Sequence, residues 1–291
     1  MEPKTLRLLR HGEAFHNVEG EILLQIGSAW KVLFDGRWRR LRISHIVRAL
    51  RCVWNLMFCS ILLQSSKVTT SSNKPTTSYY EHTDASLTST GWQQAEQLGK
   101  ELESSGVRDR VSLVVVSPLT RTLQTAAGVF GGGNHSDVSQ LLMVDFAGRC
   151  PHPAISSSGS PPFVAVELCR EEMSVMPCDH RSSRSKNELQ FPGIDFSEIE
   201  QDQDELWRPD VKETEEELGR RTRAFLEWLS NRKEKDIAVV SHGGFLVNLL
   251  TKFGDKNVNT TRYANCELRS VEFRKVLTQS GSGYTFELSP T

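Results

Sequence analysis

The sequence predicts an α/β domain with a mostly parallel central sheet and helices on both faces. Two observations carry this. Apolar runs of strand length alternate with segments of helical period. Three of those segments end in short polar motifs, RHG at 10–12, SPLTR at 117–121 and SHGG at 241–244. In such sheets ligands bind outside the carboxyl ends of the strands, so three polar strand ends point to one site.

In chain order, TLRLLR (5–10) is a short β-type run ending at His11-Gly12. Residues 89–106 form a helix, with Trp92, Ala95, Leu98 and Leu102 on one side and Gly106 as the stop. VSLVVV (111–116) is a continuous apolar run, as a strand buried on both faces requires. Ser117-Pro118 then turns into a helix carrying Arg121 and Gln124. Between 151 and 162, PHPAISSSGSPP reads as a surface connection. Residues 213–230 form a helix with Leu218, Thr222, Phe225, Leu226 and Leu229 on one face and acids crowding its first turn. DIAVV (236–240) is another buried strand, SHGG follows it, and FLVNLLTKF (245–253) is an apolar helix. The last strands are 268–276 and 284–288.

Composition narrows the function. The 291 residues are 38% apolar and 24% charged, which permits a sizeable core and excludes wholesale disorder. The 35 basic and 36 acidic residues nearly cancel, so the whole chain is not a nucleic-acid binder. Cysteines at 52, 59, 150, 169, 178 and 266 form no CxxC pair, which speaks against a disulfide scaffold or zinc ribbon and for reduced thiols. The first residues lack the apolar run of a signal peptide, so a cytoplasmic location is expected.

Charge is unevenly spread. Between 21 and 75, nine basic residues stand against Glu21 and Asp35, a net of +7 that leaves −8 on the remainder. The stretch passes from RWRRLR through an apolar-rich part to a Ser/Thr-rich run. Its uncharged part, 52–63, is too short for a bilayer span of roughly 20 residues. Contact with a membrane surface through 43–63 is a minor reading.

Two arginines and two histidines, Arg10, His11, Arg121 and His242, converging on one point would make a cationic pocket for a phosphoryl group. Arginine matches phosphate oxygens bidentately and keeps its charge. A histidine can attack phosphorus and carry the phosphoryl group covalently. Gly12 would let a ligand approach the backbone. The leaving oxygen needs a proton, and VELCREE offers Glu167, Glu171 and Glu172 as donors. On a strand, Glu167 and Glu171 would share a face. Each motif alone has a plainer reading: a surface Arg-His turn, a helix start with Ser117 near its N-cap, a strand-to-helix turn. His16, His45, His82, His135, His152 and His180 read as surface or satisfied histidines. The coincidence of three strand ends favours the site. No HExxH spacing is present, and neither a metal nor another cofactor is expected.

The stretches LLRHGEAFHNVEG, LTSTGWQQAEQL, VVVSPLTRTLQTAAGVFGG, PPFVAVELCREE, FPGIDFSEIE, RKEKDIAVVSHGGFL and ANCELRS resemble the histidine phosphatase superfamily, with its phosphoglycerate mutase-like fold. Within it they are similar to plant-type phosphoglycerate mutase-like proteins. The resemblance covers about 1–20 and 79–275. It implies His11 as the phosphohistidine nucleophile, Arg10, Arg121 and His242 as phosphate ligands, and Asn17 as a further polar contact. Glu171 best matches the acid position, within a residue or more.

Residues from about 21 to 77 have no counterpart in that family. Three readings follow: an intron carried into the reading frame, a genuine insertion forming a lid or basic docking element, or a membrane-surface helix. The whole of 1–291 otherwise reads as one domain interrupted by this stretch. The expected activity is phosphohistidine-dependent phosphatase or mutase chemistry on a small phosphorylated metabolite, plausible for carbohydrate metabolism. Hydrolysis is favoured, because no second anion-binding cluster is evident outside 21–77. The alternative is a catalytically weak phosphate-binding regulatory or interaction protein of the same fold.

Overall fold

The computed structural model describes residues 2–18, 83–132, 140–278 and 283–291. The atypical stretch at about 21–77, its 43–63 segment included, lies outside them. From the amino end come β1 (Lys4–Arg10), α1 (Ser89–Ser104), β2 (Leu113–Val116), α2 (Thr120–Phe130), β3 (Leu141–Met143), β4 (Ile155–Ser156) and β5 (Phe163–Ala165). Then follow α3 (Arg184–Gln190), β6 (Ile194–Asp195), α4 (Glu215–Ser230), β7 (Asp236–Ser241), α5 (Gly243–Phe253), β8 (Leu268–Leu277) and β9 (Tyr284–Pro290).

Seven strands form one sheet in the spatial order β6-β5-β2-β7-β1-β8-β9. The pairings from β6 to β1 are parallel, while β8 and β9 add antiparallel strands at one edge. The mostly parallel sheet expected from the sequence is therefore present. Alternation along the central strands feeds two cores. Leu6, Leu8, Leu113, Val115, Ile237 and Val239 pack with α4 and α5 residues such as Leu218, Phe225, Phe245 and Leu249. Leu9, Val114, Val116, Ala238 and Val240 pack with Trp92, Ala95, Leu123 and Ala126 of α1 and α2. Each aliphatic side chain buried this way contributes about 1.5–3 kcal/mol.

The helix ends follow local chemistry. Thr88 caps α1 by accepting from Gly91 N. Thr214 and Glu217 form a reciprocal capping box on α4, next to three acids in its first turn. The start of α2 departs from expectation. Its N-cap is Leu119, without a side-chain cap, and Ser117 lies outside the helix. The cap comes from Asp84, whose carboxylate accepts from Thr120 N and Oγ1 at 2.7 Å each. The segment read as a surface connection at 151–162 also differs: it contains β4, buried and paired antiparallel with β3.

Between β5 and α4 a buried ionic cluster replaces an apolar core. Arg170 donates to both oxygens of Asp204 at 2.9 and 2.7 Å and to Glu167 at 3.0 Å. Arg181 donates to Glu167 and to the carbonyls of Gln201, Asp202 and Gln203. Burial pushes the Asp204 carboxyl up, but the hydrogen bonds and charge of Arg170 outweigh it and leave its pKa at about 2. The folded value lies below the ordinary carboxylate value, so this pair's contribution is complete above about pH 4 and is lost as pH falls towards 2. Asp204→Asn should leave the buried Arg170 guanidinium with Glu167, which Arg181 also engages, as its carboxylate partner. We expect a loss of about 3 kcal/mol in urea unfolding at pH 7, because removing one carboxylate of a buried cluster leaves the guanidinium's charge only partly compensated. The loss should shrink towards zero as the comparison is repeated down to pH 2.

Candidate active site at the sheet's carboxyl edge

Parallel pairing puts Arg10 opposite Ser241, so His11 and His242 leave the sheet side by side. Their rings meet edge to face with centroids 5.2 Å apart. His11 N donates to Ser241 O at 3.0 Å, and Cys266 N donates to His11 O at 3.2 Å. The next strand end brings Ser117, whose N donates to Val240 O. Beyond it β5 ends in a short turn at Glu167–Cys169 that delivers Glu171. Arg221 of α4 clamps that turn by donating to the carbonyls of Leu168, Arg170 and Glu171 at 2.8–3.0 Å.

His11 is buried, and its Nδ1 lies 2.6 Å from the Gly12 carbonyl. A carbonyl only accepts, so Nδ1 carries the proton and Nε2 keeps its lone pair. Burial, followed by the charges of Arg121, His16 and Arg10, holds the His11 pKa well below the ordinary imidazole value. The ring is thus a neutral base with a defined tautomer. Arg121 Nε donates to His242 Nδ1 at 3.3 Å, so the proton of neutral His242 resides on Nε2, which meets Ser117 Oγ at 2.8 Å. Burial and the Arg121 charge also hold His242 low. Arg121 further donates to Cys178 O at 2.6 Å and Asp179 Oδ1 at 3.4 Å.

A cavity of about 970 Å³ opens over this edge, lined among others by Arg10, His11, Asn17, Glu171, Gly243 and Asn248. Arg10 donates from Nη1 to Tyr263 O at 2.7 Å, while its buried Nε has no hydrogen-bond partner among the described residues. Asn17 accepts from Ala14 N and donates from Nδ2 to His16 Nε2 at 3.0 Å. Arg121 and His242 do not line the cavity; they are buried beside His11.

The three glutamates of VELCREE separate clearly. Glu167 is held by Arg170 and Arg181. Glu172 pairs with Lys212 at 2.7 Å on the rim. Glu171 caps the start of α5, accepting from Phe245 N at 2.9 Å and Gly244 N at 3.3 Å. Burial, followed by the Asp179 charge, raises its pKa despite bonds from Glu172 N and Phe245 N. A Cβ on Gly244 would come within 2.6 Å of Glu171 Oε1, so this glycine makes room for the carboxylate.

One sequence reading needs correction, and a second gains a detail. At Gly12 the close neighbour is the protein itself: an added Cβ would meet Gly91 O at 2.7 Å. His16, read as a surface or satisfied histidine, is hydrogen-bonded through Nε2 to Asn17 and also lines the cavity, its ring centroid 5.7 Å from that of His11. The HGEAFHN spacing, which starts a helical turn at Phe15, was the available signal. Arg262 on the rim and the Arg221 clamp had none in the sequence.

A model of the histidine phosphatase superfamily (branch 1) matches residues 69–140 and 182–280, more than half of the chain. The chain belongs to this superfamily. Its matched residues include Arg121 and His242. Phosphoglycerate mutase-like protein 1 of Arabidopsis thaliana is 47% identical over 200 residues, covering 66% of this chain and 71% of that protein. Phosphoglycerate mutase-like protein 2 of the same plant is 45% identical over 220 residues, 64% of each chain. A probable phosphoglycerate mutase of Arthroderma benhamiae is 28% identical over 179 residues, 60% of this chain and 47% of the fungal protein. No helix among the described residues is long and apolar enough to cross a membrane.

In this member of the superfamily, α1 is pressed onto the loop that carries His11. A Cβ on Gly91 would overlap the carbonyl oxygen of Glu13. Gly91→Ala should therefore displace residues 11–13 and cost about 1–3 kcal/mol by overpacking, read by thermal unfolding. A variant as stable as the parent would show that the two backbones are not in contact.

Proposed function

We propose that this protein is a phosphohistidine-dependent phosphatase acting on a small phosphorylated metabolite. The observation that carries the proposal is the His11 ring: neutral, buried, with Nδ1 committed to the Gly12 carbonyl and Nε2 left as an electron-pair donor at the cavity floor. Superfamily membership supports phosphoryl transfer as the class of reaction.

In the first step Nε2 attacks phosphorus and the ester P–O bond breaks. The leaving oxygen takes a proton from Glu171, whose raised pKa keeps the carboxyl protonated further towards neutrality. Arg10 offers its unpartnered Nε–H to a phosphoryl oxygen. Arg121 and His242 exchange their bonds to the Cys178 carbonyl and the Ser117 hydroxyl for the remaining oxygens, and Asn17, which lines the cavity, supplies a further polar contact. In the second step Glu171, now a carboxylate, takes a proton from water. The water oxygen attacks phosphorus, the P–N bond breaks, and neutral His11 is restored. A second hydroxyl in place of water would give a mutase.

Trapping with a labelled phosphate donor should mark the wild type with an acid-labile, base-stable label. His11→Ala should carry none, and label persisting in that variant would defeat the assignment. The catalytically weak phosphate-binding alternative draws on one observation, the bonds Arg121 already makes to Cys178 and Asp179. Under it, the wild type would bind phosphate yet take up no label.

Glu171→Gln should cripple hydrolysis of alkyl phosphates by about 10²–10⁴-fold while sparing nitrophenyl phosphate, whose leaving group needs little protonation. Equal losses on both substrates would move the proton donor elsewhere. The pH profile follows from the two shifts. The acid limb, set by His11, should lie below the ordinary histidine range. The basic limb, set by Glu171, should lie above the ordinary carboxylate range and vanish in Glu171→Gln for alkyl substrates.

A further inference from the structure

The run PCDHR (177–181) closes the site from behind. Pro177–Asp179 is one short turn, and its last two residues face Arg121. The guanidinium donates from Nε to His242 Nδ1, from Nη1 to Cys178 O at 2.6 Å and from Nη2 to Asp179 Oδ1 at 3.4 Å. Arg121 and Asp179 are both buried, so water screens their attraction poorly. At 3.4 Å the contact acts through charge more than through a tight hydrogen bond. The guanidinium can therefore pivot against the carboxylate as Nη1 leaves the carbonyl for a phosphoryl oxygen.

Asp179 is anchored independently of Arg121. Its Oδ2 accepts from Ser174 N at 3.2 Å and from Ser174 Oγ. Ser174 is held in turn by Trp207, whose Nε1 donates to its carbonyl at 2.8 Å. The Asp179 carbonyl accepts from Arg170 of the buried ionic cluster, and its N donates to Met176 O at 3.0 Å. A carboxylate fixed on its far side in this way can aim a guanidinium.

The same charge reaches Glu171. Burial is the first cause of the raised Glu171 pKa and the Asp179 charge the second, against the bonds from Glu172 N and Phe245 N and the Arg121 charge. The other groups around Glu171 differ in effect. Arg10 faces it as a cation, while Glu172 is paired with Lys212 and Glu213 with Arg221. His11 and His242 are neutral, and burial pushes the Cys178 thiol up to about 12.

We propose that Asp179 is a positioning residue for phosphoryl transfer: seated on Ser174, it aims the Arg121 guanidinium at the transferred group and sets a negative charge beside the acid Glu171. This rests on the phosphatase reading above and adds to it a residue that touches neither the substrate nor the reacting atoms.

The test is a double-mutant cycle on the full chain, read first by kcat for nitrophenyl phosphate, which needs little from Glu171. Asp179→Asn keeps the shape of the carboxylate and removes its charge. It should lower kcat by roughly 10–100-fold, the scale of a misaimed transition-state donor. In an Arg121→Ala background the same substitution should cost nothing further, because the carboxylate then has no guanidinium to aim and is itself a buried unpaired charge. A role confined to packing would give losses that add. The second readout is the basic limb of the pH profile for an alkyl phosphate. Asp179→Asn should move it to lower pH, since a charge that favours protonated Glu171 is gone. Asp179→Ala carries the same cycle if the amide variant does not fold. Wild-type kcat in Asp179→Asn, additive losses, or a basic limb that stays in place overturns the proposal. Labelling of His11 in the wild type reads the phosphatase assignment independently.

Discussion

The parallel register of β1 against β7 is the constraint on which the rest of the site depends. With Arg10 opposite Ser241, the two strands stop at the same level, and the next residue of each is a histidine. The bond from His11 N to Ser241 O carries the pairing one step beyond the strand. A slip of one residue would turn Leu6 and Leu8 away from the core formed with α4 and α5. The apolar alternation that stabilises the sheet is therefore the same feature that places the two imidazoles in contact.

Burial then sets the chemistry. His11, Arg121 and His242 are each about 2% exposed or less, so water screens their charges poorly. With a guanidinium so close, protonating either imidazole is unfavourable, and both remain neutral. The same burial acts oppositely on Glu171 and keeps its proton on to higher pH. One desolvated pocket thereby yields a base and an acid whose pKa values are drawn towards each other. This poise needs a rigid frame, supplied by the Arg170–Asp204 pair, the Arg181 contacts and the Arg221 clamp around the turn that delivers Glu171.

Much of this was legible in the residues. β1, β2 and β7 are apolar runs long enough to show their character, and α1, α4 and α5 carry clear stripes or terminal signals. Their ends named His11, Arg121 and His242. β3 to β6 escaped because two or three residues hold no period; β4 lay inside what looked like a polar loop. The cap of α2 escaped because Asp84 is remote from Thr120 in sequence. Glu171 could be narrowed only to three candidates, since its selection depends on Arg170, Arg181 and Lys212 engaging the other two.

The central claim is that the Gly12 carbonyl fixes the proton on His11 Nδ1 and leaves Nε2 to attack phosphorus. Nitrogen-15 NMR of the histidine side chains at neutral pH tests this most directly, with His11→Ala providing the assignment. The account predicts a neutral His11 ring, protonated at Nδ1 and bare at Nε2, and a phosphoryl group on Nε2 in the trapped intermediate. An imidazolium at neutral pH, or phosphate on Nδ1, would contradict it.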